Sequence, residues 1–430
     1  MKMPAKNLRT WIEIDSRAAK KNYGTFRKLT LRSFDITQGK QAQGKSAVKL
    51  WAVVKSNAYG HGLMLFSKLM QKFGIDGFCV DSLVEGLRLR ASPPAGGGIR
   101  KPILVLGPTL PALYAEAAKH NITVTVSSFE ALKALAGFVD KKSTKKKRGG
   151  KGRGGSGTSY GNRAPEFHLK IDTGMHRQGF YVSEVPKVIH FLSSKSKVLS
   201  SQLSGLYTHF ASAKDINYPT YTERQFGEFE KATKLFAKAG FSAKGGSASG
   251  GKNNFTVHAA ATGGALVDPK YHLDAVRIGI GLYGLWPSKE LETQLSGKIK
   301  LQPVLSWRAV VSEVKRLEKG DYVGYDLVER VMEPVSMAVV PVGYWHGIPR
   351  SLSGTGEVLT RGKRARILGR VSMDLITVRL PARRRPGDTV TLIGGDGGEV
   401  LLAADVAARA GTIHYELLTR LNPLIERIVV

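Results

Sequence analysis

Eight short β-rich runs, separated by helix-length stretches, dominate the chain between residue 51 and about residue 280. They are WAVV (51–54), GFCV (77–80), ILVL (103–106), TVTV (123–126), FHLKI (167–171), LSGLYTHF (203–210), FTVH (255–258) and AVRIGI (275–280). Strands that alternate with helices are typical of parallel α/β folds, and eight of them favour a (β/α)8 barrel of the TIM type. The predicted fold class is therefore α/β, with functional side chains expected at the carboxyl ends of the strands.

Two helix starts support this alternation. Ser82 with Glu85, and Ser127 with Glu130, have the S-x-x-E spacing of a capping box immediately after a predicted strand. Another helix is predicted over 222–240, and its apolar side chains recur at helical spacing, which favours packing over a cofactor site. These side chains are Phe226, Phe229, Leu235 and Phe236.

Closely spaced strands replace this pattern after about residue 298. Examples are SWRAVVSEV, SMAVVPVGYW, ARILGRVSMDLITVRL and DTVTLIGG, followed by the short helices ADVAARAG and YELLTRL. The Gly, Pro and charged turns between the strands predict a mainly antiparallel β domain. The early strand at 11–14 can pair with it. We therefore predict a barrel domain at 15–297 and a C-terminal β domain at 298–430 that includes residues 1–14.

The chain is strongly basic, with 65 Lys and Arg against 34 Asp and Glu and a formal net charge of +31. Such a field attracts nucleic acid, anionic membranes or acidic small molecules. Because 42% of the residues are hydrophobic, the charge does not imply disorder. A basic, Gly-rich insertion at 141–162 and a Gly/Ser tract at 243–254 are predicted as mobile loops. A solvated loop is the favoured interpretation of the insertion, and nucleic acid contact is the alternative.

The single cysteine, Cys79, cannot form an internal disulfide, and its neighbours GFCVDS are those of a buried strand. No run of 18 apolar residues is present, and the N-terminal sequence lacks the apolar region of a signal peptide. We expect a cytoplasmic protein that does not insert into membranes.

A glycine motif follows the last predicted barrel strand. Gly279, Gly281 and Gly284 match G-x-G-x-x-G, but Pro287 leaves no room for the long helix that dinucleotide binding requires. A glycine turn with free amides facing a phosphate is the better interpretation.

Lys55 ends the first predicted barrel strand and precedes SNAYGHG. A lysine at this end of a barrel strand occupies the usual active-site position. Next to an apolar strand we expect its amine to be desolvated, as Schiff-base chemistry requires. On spacing alone, an ordinary surface lysine is the alternative.

Further polar residues recur at the ends of later strands. A lysine, histidines and arginines on one barrel face suit a phosphate-bearing cofactor and a carboxylate substrate. No HExxH or CxxC motif is present, so no metal is predicted. The strand-end residues are Lys170, Asp172, Arg177, His209, His258 and Arg277.

Long blocks spread over most of the chain carry a family resemblance. In these blocks the sequence resembles the bacterial alanine racemases, which are barrel-type pyridoxal 5′-phosphate (PLP) enzymes. The blocks are TWIEID (10–15), AVVKSNAYGHG (52–62), KIDTGMHRQGF (170–180), THFASA (208–213), RIGIGLYGLWPS (277–288), VGYD (323–326), PVGYWHGIPR (341–350), ILGRVSMDL (367–375) and HYELLTRL (414–421).

The resemblance implies a two-base mechanism. Lys55 is expected to bind PLP covalently and to act as one catalytic base, and Tyr325 from a partner subunit is expected to be the other. Two bases on opposite faces of the substrate α-carbon are what racemisation needs. Arg277 is expected to face the pyridine nitrogen and keep it unprotonated, because an arginine donates but does not give up its proton.

The resemblance also implies the supporting residues. His209 is expected beside the cofactor ring, Arg177 at the cofactor oxygen and substrate carboxylate, and Lys170 beside Arg177, carbamylated as in many family members. The partner subunit of a head-to-tail homodimer would supply Met373 and Tyr344, and Asp374 is expected as a further supporting residue. The cofactor phosphate would be bound by Tyr59, Thr262, Gly279, Ile280 and Tyr415.

The function that this resemblance implies is the interconversion of L- and D-alanine, which supplies D-alanine for peptidoglycan. Trp345 and His346 stand where small and acidic residues are common in the family, so a serine or broad-specificity racemase is one alternative. A D-amino acid aldolase or decarboxylase with the same barrel is a second. A polybasic binding protein without catalysis is a third.

Overall fold

The structure, a computed structural model, describes residues 7–31, 34–35, 40–41, 48–91, 97–148, 164–195, 197–241 and 255–430. The chain forms two compact units. The barrel unit comprises Asn22–Lys55 and Ser67–Leu301. The sheet unit comprises Ser56–Phe66, Gln302–Val430 and the N-terminal residues up to Lys21. The domain boundaries at 15–297 and 298–430 with 1–14 stay a prediction.

Eight parallel strands close into a ring in the barrel unit. Each strand pairs with the next, and the eighth strand pairs with the first. This confirms all eight predicted barrel strands and the predicted fold class. In chain order the strands are Lys49–Val53, Gly77–Val80, Ile103–Pro108, Ile122–Val126, Phe167–Asp172, Leu203–Tyr207, Thr256–Ala261 and Ala275–Ile278.

Two glycines make room for large rings in the barrel interior. Gly205 pairs with His168, and a Cβ at Gly205 would lie 2.6 Å from the imidazole. A Cβ at Gly77 would lie 2.9 Å from the indole of Trp51. Because a real Cβ does not approach that closely, these positions require glycine.

Helices and short turns connect the barrel strands. The predicted cap at Ser82 is confirmed, since its Oγ accepts the Glu85 amide hydrogen at 3.4 Å. The predicted cap at Ser127 is wrong by one residue: Ser128 Oγ accepts the Ala131 amide hydrogen at 3.3 Å, and Ser127 Oγ accepts from Gln178 instead. The helices are Ser16–Leu29, Leu63–Phe73, Leu83–Arg90, Tyr114–Lys119, Phe129–Arg148, Val185–Lys195, Lys197–Gln202, Thr220–Lys238, Thr262–Val267 and Lys289–Leu295.

The predicted packing of the helix Thr220–Lys238 is confirmed, because Phe226, Phe229 and Phe236 are buried. Cys79 is buried as predicted, and burial raises the pKa of its thiol to about 12. The glycine motif itself forms the 3₁₀ helix Ile280–Tyr283, and the next helix, Lys289–Leu295, has only seven residues, so the long helix of a dinucleotide site is absent from this described segment.

The predicted loop insertion at 141–162 needs correction. The helix Phe129–Arg148 continues through its first eight residues. Lysine is a good helix former, and the sequence places no glycine in this helix after Gly137. Residues 149–163, and the tract at 243–254, lie outside the described residues, so the alternatives for the basic insertion stay predictions.

A mainly antiparallel sheet forms the core of the sheet unit, as predicted. The early strand Thr10–Ile14 pairs with it, antiparallel to Leu305–Val310 and parallel to Glu426–Val429. The two predicted helices are Ala403–Arg409 and His414–Thr419. Among the described helices, none combines the length and apolar character needed to cross a membrane. The remaining strands are Glu313–Leu317, Val335–Val340, Glu357–Thr360, Lys363–Leu368, Ile376–Arg379, Thr389–Asp396 and Glu399–Leu401.

Candidate active site

Five nitrogen-bearing side chains meet at the carboxyl ends of the barrel strands. Burial and four neighbouring cations lower the pKa of His209 to about 3. Burial and three of the same neighbours, Arg177, Arg277 and Lys55, lower the pKa of Lys170 to about 8. The structure therefore brings together five of the residues that the sequence singles out. They are Lys55, Lys170, Arg177, His209 and Arg277.

Lys55 differs from the expectation in one respect. Its Nζ donates to Asp81 Oδ1 at 3.3 Å, and its side chain keeps 37% of its area exposed. The expected desolvation of the amine is not seen, because more than a third of the side chain stays accessible to solvent. Asp81, which follows the next barrel strand, is a partner that the sequence analysis missed.

A left-handed turn begins directly after Lys55 in the sheet unit. Ser56, Asn57, Ala58 and Tyr59 all have φ between 51° and 56°. Non-glycine residues pay about 1–2 kcal/mol each for this conformation. Asn57 compensates in part, since its Oδ1 accepts the Leu63 amide hydrogen at 2.8 Å. Strain of this kind concentrates at functional sites.

Arg277 is fixed in the barrel interior. Its Nη2 donates to the carbonyl oxygens of Thr208 at 2.8 Å and Ala259 at 2.7 Å, and lies 3.4 Å from His209 Nδ1. Its Nη1 donates to Nδ1 of His258. A guanidinium has no acceptor, so His258 Nδ1 must accept and a neutral His258 carries its proton on Nε2.

His258 continues this chain of hydrogen bonds inward. Its Nε2 lies 2.9 Å from Nδ1 of His168, which therefore accepts. Burial and the charges of Lys49 and Arg277 lower the pKa of His168 to about 3 and that of His258 well below its usual range. The ring of Tyr207 stacks on His258 with 4.8 Å between centroids. His258 is thus a buried support and not the rim residue that the sequence predicts.

His168 and Tyr207 were not predicted from the sequence. His168 stands two positions before Lys170 on one strand, so the two share a face of the barrel wall. The alternation of side chains between the two faces of this strand is the signal from which His168 could have been predicted.

The free energy of unfolding is expected to fall as the pH drops below about 6.5. His168 and His258 stay neutral in the folded protein, whereas in the unfolded chain they take up protons below about 6.5. The contribution of these two histidines to the free energy of unfolding is therefore complete above about pH 6.5. As the pH falls from about 6.5 to about 3, each histidine lowers this free energy by at most about 1.4 kcal/mol per pH unit. Urea denaturation between pH 7 and pH 5 measures this slope.

His168→Gln should reduce the slope of the free energy of unfolding against pH by the share of one histidine, at most about 1.4 kcal/mol per pH unit. The exposed His190→Gln is the matched control and should leave it unchanged. An unaltered slope in His168→Gln would contradict this account of the histidine pair.

A second group of predicted residues meets after the last two barrel strands. Thr262 Oγ1 accepts amide hydrogens from Gly279 at 3.2 Å and Gly281 at 3.4 Å. A Cβ at Gly281 would lie 2.4 Å from the ring of Phe26, so the turn requires glycine there. The structure therefore brings together Thr262, Gly279 and the adjoining Ile280.

Two further predicted residues meet in the sheet unit. The rings of Tyr59 and Tyr415 have centroids 6.1 Å apart. Burial and the neighbouring Tyr59 raise the pKa of Tyr415. Tyr59 is the last residue of the left-handed turn, so the turn sets the position of its side chain.

Tyr325 stands on an exposed turn of the sheet unit, with 68% of its area accessible. The next residue, Asp326, has φ 62° and accepts from Arg370 Nε at 2.6 Å. This ion pair connects the turn to the segment that carries Met373.

Tyr344, Met373 and Asp374 lie together in the same unit. The amide of Tyr344 donates to Ser372 O at 3.0 Å, and the amide of Trp345 donates to Met373 O at 3.0 Å. Gly343 permits this approach, since a Cβ there would lie 2.2 Å from Ser372 O. These residues and Tyr325 are in the sheet unit, whereas the Lys55 cluster is in the barrel unit.

Two family models match consecutive parts of the chain. "Alanine racemase, N-terminal domain" covers residues 36–287, and "Alanine racemase, C-terminal domain" covers residues 304–429. The chain belongs to the alanine racemase family. Membership confirms the resemblance and the predicted enzyme class, an isomerase that uses PLP to racemise alanine.

Individual relatives of this alanine racemase family member span almost its whole length. An alanine racemase of Leptospira interrogans is 33% identical over 98% of this chain and 96% of the relative. One of Listeria monocytogenes is 34% identical, with 97% of each chain covered. A crystal structure of alanine racemase from Bacillus anthracis with bound L-Ala-P has a TM-score of 0.80 and 31% identity, covering 98% of this chain and 95% of that one.

Proposed function

We propose that this protein interconverts L- and D-alanine in the cytoplasm, that the product serves peptidoglycan synthesis, and that each active site combines residues from two subunits. The observation that carries the proposal is the cationic cluster around Lys55. Within the described part of the chain, Asp81 pairs with Lys55, but neither Arg177 nor Arg277 forms an ion pair with a carboxylate. Arginines without a carboxylate partner bind anions, here a cofactor phosphate and an amino acid carboxylate.

The residues present fit PLP. Thr262, Gly279 and Ile280 form a tight turn at the strand ends, where hydroxyl and amide groups suit a phosphate. Tyr59 and Tyr415 are proposed to complete the phosphate site. When bound, PLP supplies an electron-withdrawing ring that acidifies the Cα–H bond of the amino acid.

The chain's own residues bind the substrate and move the proton. Arg177 binds the substrate carboxylate, and Arg277, fixed by its carbonyl partners, faces the pyridine nitrogen as a permanent donor. Lys55 and Tyr325 take and return the α-proton on opposite faces of the substrate. His209, half-buried beside Arg277, connects this arginine to the tyrosine.

The solvent exposure of Tyr325 supports the proposal that each active site receives this tyrosine from the partner subunit. The turn and the neighbouring Met373 segment display large apolar side chains to solvent, which is typical of an interaction surface. We propose a head-to-tail homodimer in which Tyr344, Met373 and Asp374 also reach the partner's site. The exposed apolar residues are Tyr325, Leu327, Val328, Met332, Tyr344, Trp345, Met373 and Leu375.

Lys170 is proposed to carry a carbamate. Its pKa near 8 leaves about half of the amine neutral at pH 8, and the neutral amine adds CO2 to form a carbamate and release one proton. The new negative charge would lie among Arg177 and Arg277, where it is stabilised.

Racemase activity at pH 8 is therefore expected to fall several-fold in CO2-depleted buffer and to recover when bicarbonate is added. Lys170→Gln should be less active and should not respond to bicarbonate. A wild-type rate that is independent of CO2, or an equal response in Lys170→Gln, would contradict the carbamate.

Product analysis tests the function itself. Purified protein with PLP is incubated with L-alanine, L-serine and their enantiomers, and chiral chromatography follows inversion. We expect alanine to invert faster than serine, since the family to which the chain belongs consists of alanine racemases. Release of CO2 or of an aldehyde without inversion would favour the decarboxylase or aldolase instead.

A further inference from the structure

Asp172 holds the loop that presents Arg177. Its Oδ1 accepts amide hydrogens from Gly174 at 2.9 Å, Met175 at 2.9 Å and His176 at 3.0 Å. Its Oδ2 accepts the amide hydrogen of Arg177 at 2.9 Å. One buried carboxylate at the end of a barrel strand thus binds four consecutive amides.

We infer that Asp172 is a positioning residue that sets Arg177 for the substrate carboxylate. The inference rests on the proposed function, because that function gives Arg177 its ligand. The two oxygens of Asp172 have different roles: Oδ1 shapes the turn, and Oδ2 fixes the backbone of the residue that carries the guanidinium.

The backbone of this loop needs such a support. His176 has φ 52°, which is costly for a non-glycine residue, and Gly179 has φ 132°. A Cβ at Gly179 would lie 2.6 Å from the amide nitrogen of Asp172. A loop in these conformations is held by its hydrogen bonds, and the bonds to Asp172 are charge-assisted.

Among the described residues, other contacts hold the two ends of the loop but not Arg177 itself. Thr173 Oγ1 lies 2.8 Å from Thr208 Oγ1, and Tyr221 Oη donates to Gly174 O at 2.7 Å. Gln178 accepts from Lys170 Nζ at 3.3 Å. The backbone of Arg177 therefore depends on Oδ2 of Asp172.

The arrangement also leaves the guanidinium available. Burial raises the pKa of Asp172, but its hydrogen bonds from the four amides lower it more, so the net shift is downward and the group is ionised at neutral pH. Both oxygens accept from the backbone, and among the described residues Asp172 forms no ion pair with Arg177. Asp172 thus fixes the cation without neutralising it, and the charge stays free for a substrate anion.

Asp172→Asn tests the roles of the two carboxylate oxygens separately. The amide oxygen can replace Oδ1, whereas the amide NH2 then faces the Arg177 N–H and cannot accept it. Hydrogen exchange measured by mass spectrometry on the cofactor-free protein should show faster exchange at the Arg177 amide. In Asp172→Ala all four amides from 174 to 177 should exchange faster. Asp15→Asn, whose Oδ1 caps a helix through Arg17 and Ala18, is the matched control.

Kinetics of the PLP-loaded protein complete the test. Asp172→Asn should raise the KM for alanine by on the order of tenfold, with a smaller change in kcat and unchanged PLP absorbance. Unchanged exchange at Arg177, or an unchanged KM despite faster exchange, would overturn the inference. Absence of alanine turnover in the wild type would instead contradict the proposed function, and the exchange result distinguishes the two.

Discussion

Lys55→Ala is expected to lose the visible absorbance of covalently bound PLP and to lower racemase activity by on the order of a thousandfold or more. The substitution removes the amine at the rim of the barrel, which is both the proposed attachment point and one of the two proposed bases. Absorbance spectra and a chiral assay measure the two losses on the same sample.

The exposed Lys187→Ala is the matched control and should keep both signals. A small added amine should restore part of the activity of Lys55→Ala, because it can act as a base in the space left by the side chain. Retention of both absorbance and activity in Lys55→Ala would show that the wrong lysine has been assigned.

Tyr325→Phe should lower racemisation by about 10²- to 10⁴-fold, since the phenol is one of the two proton-transfer groups. PLP absorbance should change little, because Tyr325 is not proposed to hold the cofactor. Tyr322→Phe removes a hydroxyl from a nearby, half-exposed tyrosine and is the control. A loss of PLP binding in proportion to activity would contradict the assignment.

Mixed dimers test whether the site is shared. Co-expressed Lys55→Ala and Tyr325→Phe subunits form heterodimers in which one site has both changes and the other has neither. With random pairing, about a quarter of all sites regain both groups, so the mixture should be far more active than either variant alone. If each subunit used its own Tyr325, no activity would return.

The barrel was predictable because its signal is local. Each strand is a short apolar run followed by a turn or a cap, and eight such runs leave few alternative folds. Helix limits were less predictable. Gln178, which is distant in sequence, donates to Ser127, and Ser128 caps the helix instead. The helix continues to Arg148 because lysine has a high helix propensity, whereas the high density of charge in this segment had led to the prediction of a loop.

The site was predictable to the extent that residues lie at strand ends. Lys55, Lys170 and Arg277 follow from that rule, and the structure brings them together. The support beneath Arg277 was not predictable, because the pairing of His258 with His168 joins two strands far apart in sequence. Nor does any glycine signal the left-handed turn after Lys55.

Exchange of the α-proton in heavy water tests the central claim most directly, namely that Lys55 and Tyr325 serve opposite faces of alanine. Proton NMR follows the Cα–H signal of L-alanine and D-alanine separately with the PLP-loaded wild type and with Tyr325→Phe. We predict that the wild type exchanges and inverts both enantiomers, while Tyr325→Phe exchanges one enantiomer without inverting it. Equal residual exchange of both enantiomers in Tyr325→Phe, or no exchange by the wild type, would contradict the account.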